Sequence, residues 1–355
     1  MGNKENVKRD NRAISDEFLG RFKPEGDLHP FIKLVKAHES DLELCFRGNG
    51  NNVNIYCKNH QVFKIEEPGN IEISFSIARY CKNWKILLGE LNAFGFEADI
   101  NNTELEISKG KTIYIKRKCT EKPLLYDELE KIYRDIIEKM FNRYFSVQGE
   151  DDTIDYFKKV AKKEYKCKPK KTLEKIRQQE IYSKLRNTCD SYFLYDLEYN
   201  QQHDSLKEAN EDTYNNAPDM LGLYFNASGV PERLVLVEVK CTKTAVNDKK
   251  SGLDKHISCM ENYVGCEEHI RARRQEAFEI IKQYAELELR GLSREFIAGY
   301  DKDFYKKHFE NMRVETLIIL TDEAQKCSDC VDETYHIVDD DALEKGVYTI
   351  YSKVL

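Results

Sequence analysis

The chain has 355 residues, a formal net charge of −7 and 34% charged residues, enough length for two hydrophobic cores. No apolar run reaches membrane-helix length, and the polar start, MGNKENVKRDNR, has neither the apolar core of a secretion signal nor a Ser or Thr at position 6 to support myristoylation of Gly2. Eleven cysteines without framework spacing then read as reduced thiols of a cytoplasmic protein.

Residues 1–15 read as a disordered leader and residues 16–120 as a small α+β domain of unassigned role. Short strand patterns at 42–46, 53–57 and 61–65 are separated by the Gly/Asn-rich stretch 48–52 and by an Asn59-His60 turn. Pro68-Gly69 leads into a strand at 71–76. A helix follows over 77–91, with Ile77, Tyr80, Trp84, Leu87, Leu88 and Leu91 on one face, and then a hairpin over 103–116. Residues 121–170 read as a helical connector with a basic segment. Its helix, 122–146, carries the stripe Leu125, Leu129, Ile132, Ile136, Met140 and Tyr144. Between 158 and 186 twelve Lys/Arg face three acids, a local charge of +9 in a chain of net −7. That pattern suits a phosphate-facing surface; a solvated helix face is the plainer reading.

From residue 172 the order is helix (172–187), strand (from Ser191, SYFLYDLEYN), a long polar stretch (201–217), two strands within 218–242, helices, and the buried strand RVETLIIL at 313–320. The loop 242–253 is basic, and helices are expected over 254–264 and 267–291. In the second of these, Ile270, Ala277, Phe278, Ile281 and Ala285 point inward, and Arg271, Arg273, Arg274 and Lys282 fall largely outside that stripe. An acidic loop at 339–341 precedes a closing strand at 347–351.

The chemistry concentrates in residues 218–242, PDMLGLYFNASGVPERLVLVEVKCT. Side chains alternate along a strand, so Val235, Val237 and Val239 share one face, and Leu234, Leu236, Glu238 and Lys240 the other. Pro231 is expected to hold the preceding loop out of the strand. Pairing of the two strands brings Asp219 beside Glu238 and Lys240. An acid and a lysine ending so apolar a strand are costly without partners or a task. Two carboxylates at a strand end suit a hard divalent cation such as Mg²⁺. The Val239 carbonyl is a further donor by its place between them. A neighbouring lysine serves to orient or deprotonate water, or to offset charge developing on a phosphate.

Pro218-Asp219, eighteen residues, then Glu238-Val239-Lys240, set within helix-strand-strand-strand-helix-strand order, resembles the PD-(D/E)XK nuclease superfamily over residues 170–325. The resemblance implies an α/β restriction-endonuclease-like domain with a mixed central sheet, here 171–355, following the α+β domain. It implies Asp219 and Glu238 as metal ligands, Lys240 as the catalytic lysine, and Mg²⁺ as cofactor with Mn²⁺ able to substitute. Members often carry another acid upstream; Glu198 and Glu180 are the two candidates. DNA is favoured over RNA as substrate, in restriction of foreign DNA or in repair. Cutting both strands with one site per chain favours a homodimer, and no membrane is involved. Lys170, Lys171, Lys175, Lys243, Lys255 and Arg274 are candidates for contact with nucleic acid, and His256 and His269 lie on helices beside the site.

Cys327-x2-Cys330 lacks a second pair and reads as free thiols. The Q-x-x-x-Y motif of related exonucleases is absent after Lys240, since Gln283 and Tyr284 are adjacent, and no phosphate-binding glycine loop is present. Two other readings remain: a nucleic-acid-binding protein of the same fold without cleavage, and a scaffold in which Glu238–Lys240 is a structural ion pair.

Overall fold

A computed structural model describes residues 12–48, 51–57, 60–76, 89–97, 112–118, 122–138, 169–186, 188–197, 218–249, 252–331, 333–338 and 348–355. The chain divides into two units, Ile14–Leu44 with Gly50–Lys168, and Met1–Ala13 with Cys45–Asn49 and Pro169–Leu355. Helices accompany a five-stranded antiparallel sheet in the first and a six-stranded mixed sheet in the second. No helix among the described residues is long and apolar enough to cross a membrane.

In the first unit, α1 (Asp16–Gly20) starts at Ser15, whose hydroxyl accepts from the Phe18 amide at 3.2 Å, an N-cap that satisfies one orphan donor. Pro30 opens α2 (His29–Ala37), which buries Phe31, Ile32, Leu34 and Val35; its missing N–H costs nothing there. At five residues α1 is too short to show a period in sequence, whereas α2 carries one in Phe31, Ile32, Leu34 and Val35. The strands β1 (Leu42–Arg47, of which Cys45–Arg47 are counted with the second unit), β2 (Asn52–Cys57), β3 (His60–Glu66), β4 (Asn70–Ser76) and β5 (Thr112–Arg117) lie in chain order. The long helix expected from 122 is instead α3 (Tyr126–Lys131) followed by a π-helical stretch, Ile132–Glu138. Leu125 is its N-cap and is 54% exposed. The wider i→i+5 winding turns Tyr133 and Ile137 inward beside Ile132 and Ile136. The expected helix at 77–91 for most of its length, the strand at 103–108, residues 139–168 and the loop at 339–341 lie outside the described residues.

The second unit begins, after its two N-terminal pieces, with α4 (Pro169–Lys184) and β6 (Ser191–Leu197). Then come β7 (Met220–Phe225), β8 (Pro231–Lys240), β9 (Arg313–Thr321), β10 (His336–Ile337) and β11 (Tyr348–Val354). The sheet order is β10-β11-β9-β8-β7-β6. Only β8 and β9 among the paired strands run parallel. A parallel pair needs a crossover, supplied by α5 (Lys243–Val246), α6 (Leu253–Val264), α7 (Glu267–Glu286) and α8 (Lys302–His308). The helix-strand-strand-strand-helix-strand order is therefore present. Pro231 does not delay β8; it is the first residue, paired with Phe225 beside a register shift, a position where a strand tolerates proline. Residues 234–240 of β8 are all buried, so both faces of the strand are covered.

Gly222 of β7 lies against β6: a Cβ there would meet Phe193 O and Leu194 Cδ2 at 2.7 Å. Beside that close approach β6 slips register between Leu194 and Asp196, and such a bulge re-aims the side chains that follow. Asp196, 1% exposed, accepts from the Arg47 guanidinium, and Arg12 Nε stands 3.1 Å from its other oxygen. Arg12 and Arg47 are thus held by the second unit, and the end of the expected leader is an ordered part of it.

Glu276 of α7 extends this buried network. Its Oε2 accepts from Arg273 Nη1 at 2.8 Å and from the Arg12 amide at 2.7 Å. Burial pushes its pKa up from 4.5 to about 7, against Arg273 and with Asp196 adding to the rise. The native state therefore binds more protons than the unfolded chain between these values, and stability falls as pH rises through that window. Glu276→Gln keeps an acceptor and removes the slope. Thermal melts at about pH 5 and about pH 8 should differ less in the variant than in the wild type; equal differences would contradict this assignment.

Candidate active site

Two adjacent strands build the site. The register Met220↔Val237, continued by one residue, sets Asp219 opposite Glu238. The Val239 amide donates to Asp219 Oδ2 at 2.8 Å, which locks the acid at the mouth of β7 onto the end of β8. Lys240 Nζ stands 2.7 Å from Glu238 Oε1. The three residues singled out by spacing are therefore neighbours. Glu238 is 1% exposed and Lys240 5%, so this is an interior ion pair rather than a surface one.

Two more groups join them. His256 of α6 brings Nδ1 to 2.8 Å from the same Glu238 Oε1. Glu174 of α4 acts electrostatically on both Asp219 and Lys240. Of the two expected upstream acids, Glu180 is turned elsewhere. Glu180 pairs with Arg177 at 2.6 Å with its side chain 41% exposed, and Glu198 lies outside the described residues. Six residues of helix turn through about 600°, which leaves Glu180 about 120° around the axis from Glu174. Glu174 was legible: it falls at i, i+4, i+7, i+11 with buried Gln178, Ile181 and Leu185, an acid on the packed stripe of its own helix. His269 meets Tyr263, ring to ring, at 5.2 Å.

The charges are unbalanced. Burial, then repulsion from Glu238, holds Asp219 well above the ordinary carboxylate range. Burial also acts to raise Glu238, but the contacts of His256 and Lys240 outweigh it and leave the carboxyl below its usual value. Lys240 shows the complementary balance: burial opposes its charge, but Glu238 and Asp219 raise its pKa above the usual value, so it is an ammonium. Burial pushes the neighbouring Cys241 thiol up to about 12, which removes thiolate chemistry from this strand end.

Asp219 and Glu238 share one lysine, and Glu174 adds negative charge to their field; a cation offsets such an excess. Both Glu238 oxygens are buried and, among the described residues, lack an aligned hydrogen-bond donor; Lys240 and His256 approach closely but off the hydrogen-bonding direction. Three or more His, Cys, Asp or Glu side chains do not converge on one metal position among the described residues. Mg²⁺ does not need three, since it takes one or two carboxylates and keeps several waters. The donor set of Asp219, Glu238 and a main-chain carbonyl fits such an ion.

Around the site, Lys243 is exposed at the start of α5 and Lys255 is half-buried on α6. Lys170, Lys171 and Lys175 belong to α4, with side chains outside the described residues. Arg274 is buried, and its guanidinium donates to Met312 O, Glu310 O and Glu267. Its geometry thus directs it at the protein and not at a phosphate, contrary to the expectation from its place outside the apolar stripe. Cys327 and Cys330 are thiols rather than a disulfide, and Cys330 Sγ donates to Asn247 Oδ1 at 3.6 Å.

Comparison of the chain with protein-family models, with curated proteins and with solved structures finds no match.

Proposed function

We propose that the second unit is a PD-(D/E)XK-type nuclease that hydrolyses phosphodiester bonds with Mg²⁺, Mn²⁺ substituting, in a soluble cytoplasmic protein. DNA is the favoured substrate. The observation that carries this reading is the meeting of Asp219, Glu238 and Lys240 at one end of a mixed sheet, on strands in the expected order. Asp219 and Glu238, with the Val239 carbonyl, would hold the ion; when bound, it supplies Lewis-acid activation of water and phosphate. Lys240 presents a fixed ammonium where negative charge builds on the phosphorane oxygens. In the reaction a water oxygen bonds to phosphorus and gives up one proton, the ester P–O bond breaks, and the leaving oxygen takes up one proton, so that one water is consumed per bond cut. Glu174 adds negative charge that keeps the cluster short of cations. Lys243, exposed just past Lys240, faces solvent where a phosphate backbone would approach. The first unit is assigned target choice, partner binding or regulation.

The reading separates from a non-catalytic binder and from a scaffold in one experiment. Wild type and Lys240→Ala are incubated in Mg²⁺ with plasmid, linear duplex, single-stranded DNA and RNA, and binding is followed against salt. Cleavage of DNA by wild type, lost in Lys240→Ala, is the expected result. Salt-dependent binding without cutting favours the binder, and neither binding nor cutting the scaffold.

A further inference from the structure

We propose that Arg177 and Asp322 are a positioning pair that sets Glu174, one helical turn before Arg177, toward the sheet end that carries Asp219 and Lys240; the inference rests on the nuclease reading above. Leu320 of β9 is the register partner of Lys240. Asp322, two residues on, therefore stands at the same end of the sheet as the site. Arg177 Nε and Nη2 donate to Asp322 Oδ2 and Oδ1 at 2.9 and 3.0 Å. A two-point fork fixes the plane of both groups, which a single ion contact does not.

Asp322 is itself held. The Thr321 hydroxyl donates to its Oδ2 at 2.8 Å, and its backbone has φ +50°, a left-handed conformation that aspartate tolerates better than most residues. Two residues on, the Ala324 amide reaches the Cys241 carbonyl at 3.4 Å. This ties the turn after β9 to the residue following Lys240. The turn is thus anchored to the catalytic strand, and the fork anchors α4 to the turn.

On α4, Glu174 precedes Arg177 by three residues, one turn on neighbouring positions of the surface. Rotation or tilt of α4 moves Glu174 relative to Asp219 and Lys240, and the fork resists both. Arg177 also holds Glu180 at 2.6 Å, so the acid that is off the packed stripe is drawn away from the site by the same guanidinium. A fork that merely stabilised the helix would affect folding alone. A fork that positions Glu174 affects the cation site, and only while Glu174 is present.

A double-mutant cycle tests this. Mn²⁺ is titrated calorimetrically into wild type, Arg177→Lys, Asp322→Asn, Glu174→Gln and Arg177→Lys/Glu174→Gln, with circular-dichroism melts to follow folding and plasmid cleavage in Mn²⁺ alongside. Arg177→Lys keeps the charge and loses the fork. It and Asp322→Asn should each weaken Mn²⁺ binding about tenfold, the scale of outer-sphere changes at metal sites. In the Glu174→Gln background the Arg177→Lys effect should shrink to less than about twofold. If Arg177→Lys does not fold, Asp322→Asn alone and with Glu174→Gln takes its place in the cycle. Unchanged Mn²⁺ affinity in a folded fork variant, or an equal loss in both backgrounds, overturns the positioning role while leaving a cutting wild type as a nuclease. A wild type that neither binds Mn²⁺ nor cuts overturns the nuclease reading and this inference with it.

Discussion

Asp219→Asn is expected to lose cleavage by about 10³-fold and to melt at a higher temperature than the wild type. The two effects share a cause. Asp219 is held well above the ordinary carboxylate range by burial and by Glu238, so its charged form is a cost carried by the folded protein. Asparagine keeps an acceptor for the Val239 amide, now at 2.8 Å, and removes the charge. Relief of this kind is worth about 1 kcal/mol, or roughly 2–4 °C in a unit of this size. Glu238→Gln should also lose cleavage, with the opposite effect on stability. Glu238 is held below its usual value by His256 and Lys240 against burial, and its removal leaves Lys240 in the interior facing mainly Asp219. Calorimetric melts of the three proteins at neutral pH without added metal, run beside the cleavage assay, test the pair of signs. An Asp219→Asn protein that melts below wild type, or that still cuts at the wild-type rate, contradicts the assignment.

The largest stability effect is expected away from the site, at Asp196. Its carboxylate is 1% exposed and is shared by Arg47 and Arg12. Arg47 Nη2 donates further to the Leu197 carbonyl at 2.6 Å. Asp196→Ala leaves these guanidinium groups in a dry environment with their counter-charge gone. Breaking a buried pair from one side costs about 3–5 kcal/mol, which is roughly 10 °C in melting temperature. Asp196→Asn should recover part of the loss through its acceptor oxygen. Denaturant unfolding of the three proteins checks the order wild type, Asn, Ala; an Ala variant within about 1 kcal/mol of wild type would show that the network relaxes around water.

Local pattern carried most of the strands, because alternation and turn residues are short-range signals. β7, β8 and the relation of Asp219 to Glu238 and Lys240 follow from residues 218–242 alone, through strand parity and hairpin pairing. Tertiary context decided the rest. Arg273 and Arg274 sit off the apolar stripe of α7 yet are buried, because their partners lie far away in sequence at Glu310 and Met312, or on the same helix at Glu276. Arg47 likewise became an interior residue, and Arg12 a half-buried one, through Asp196, 149 residues from Arg47. No periodicity reports a charge whose partner is that remote. Glu174 is legible only through its phase: a run of lysines surrounds it, and its spacing with the buried Ile181 and Leu185 is what sets it apart from them. The π-helical stretch after α3 changed which residues face inward, and nothing in a 3.6-residue period anticipates it.

The most direct test is to incubate plasmid DNA with the wild-type protein in Mg²⁺ and in EDTA, and to resolve the products on a gel. Nicked or linear plasmid in Mg²⁺, and intact supercoiled plasmid in EDTA, is the predicted result. Supercoiled plasmid left intact in both, or cut equally in both, would contradict a cation-dependent nuclease at Asp219, Glu238 and Lys240.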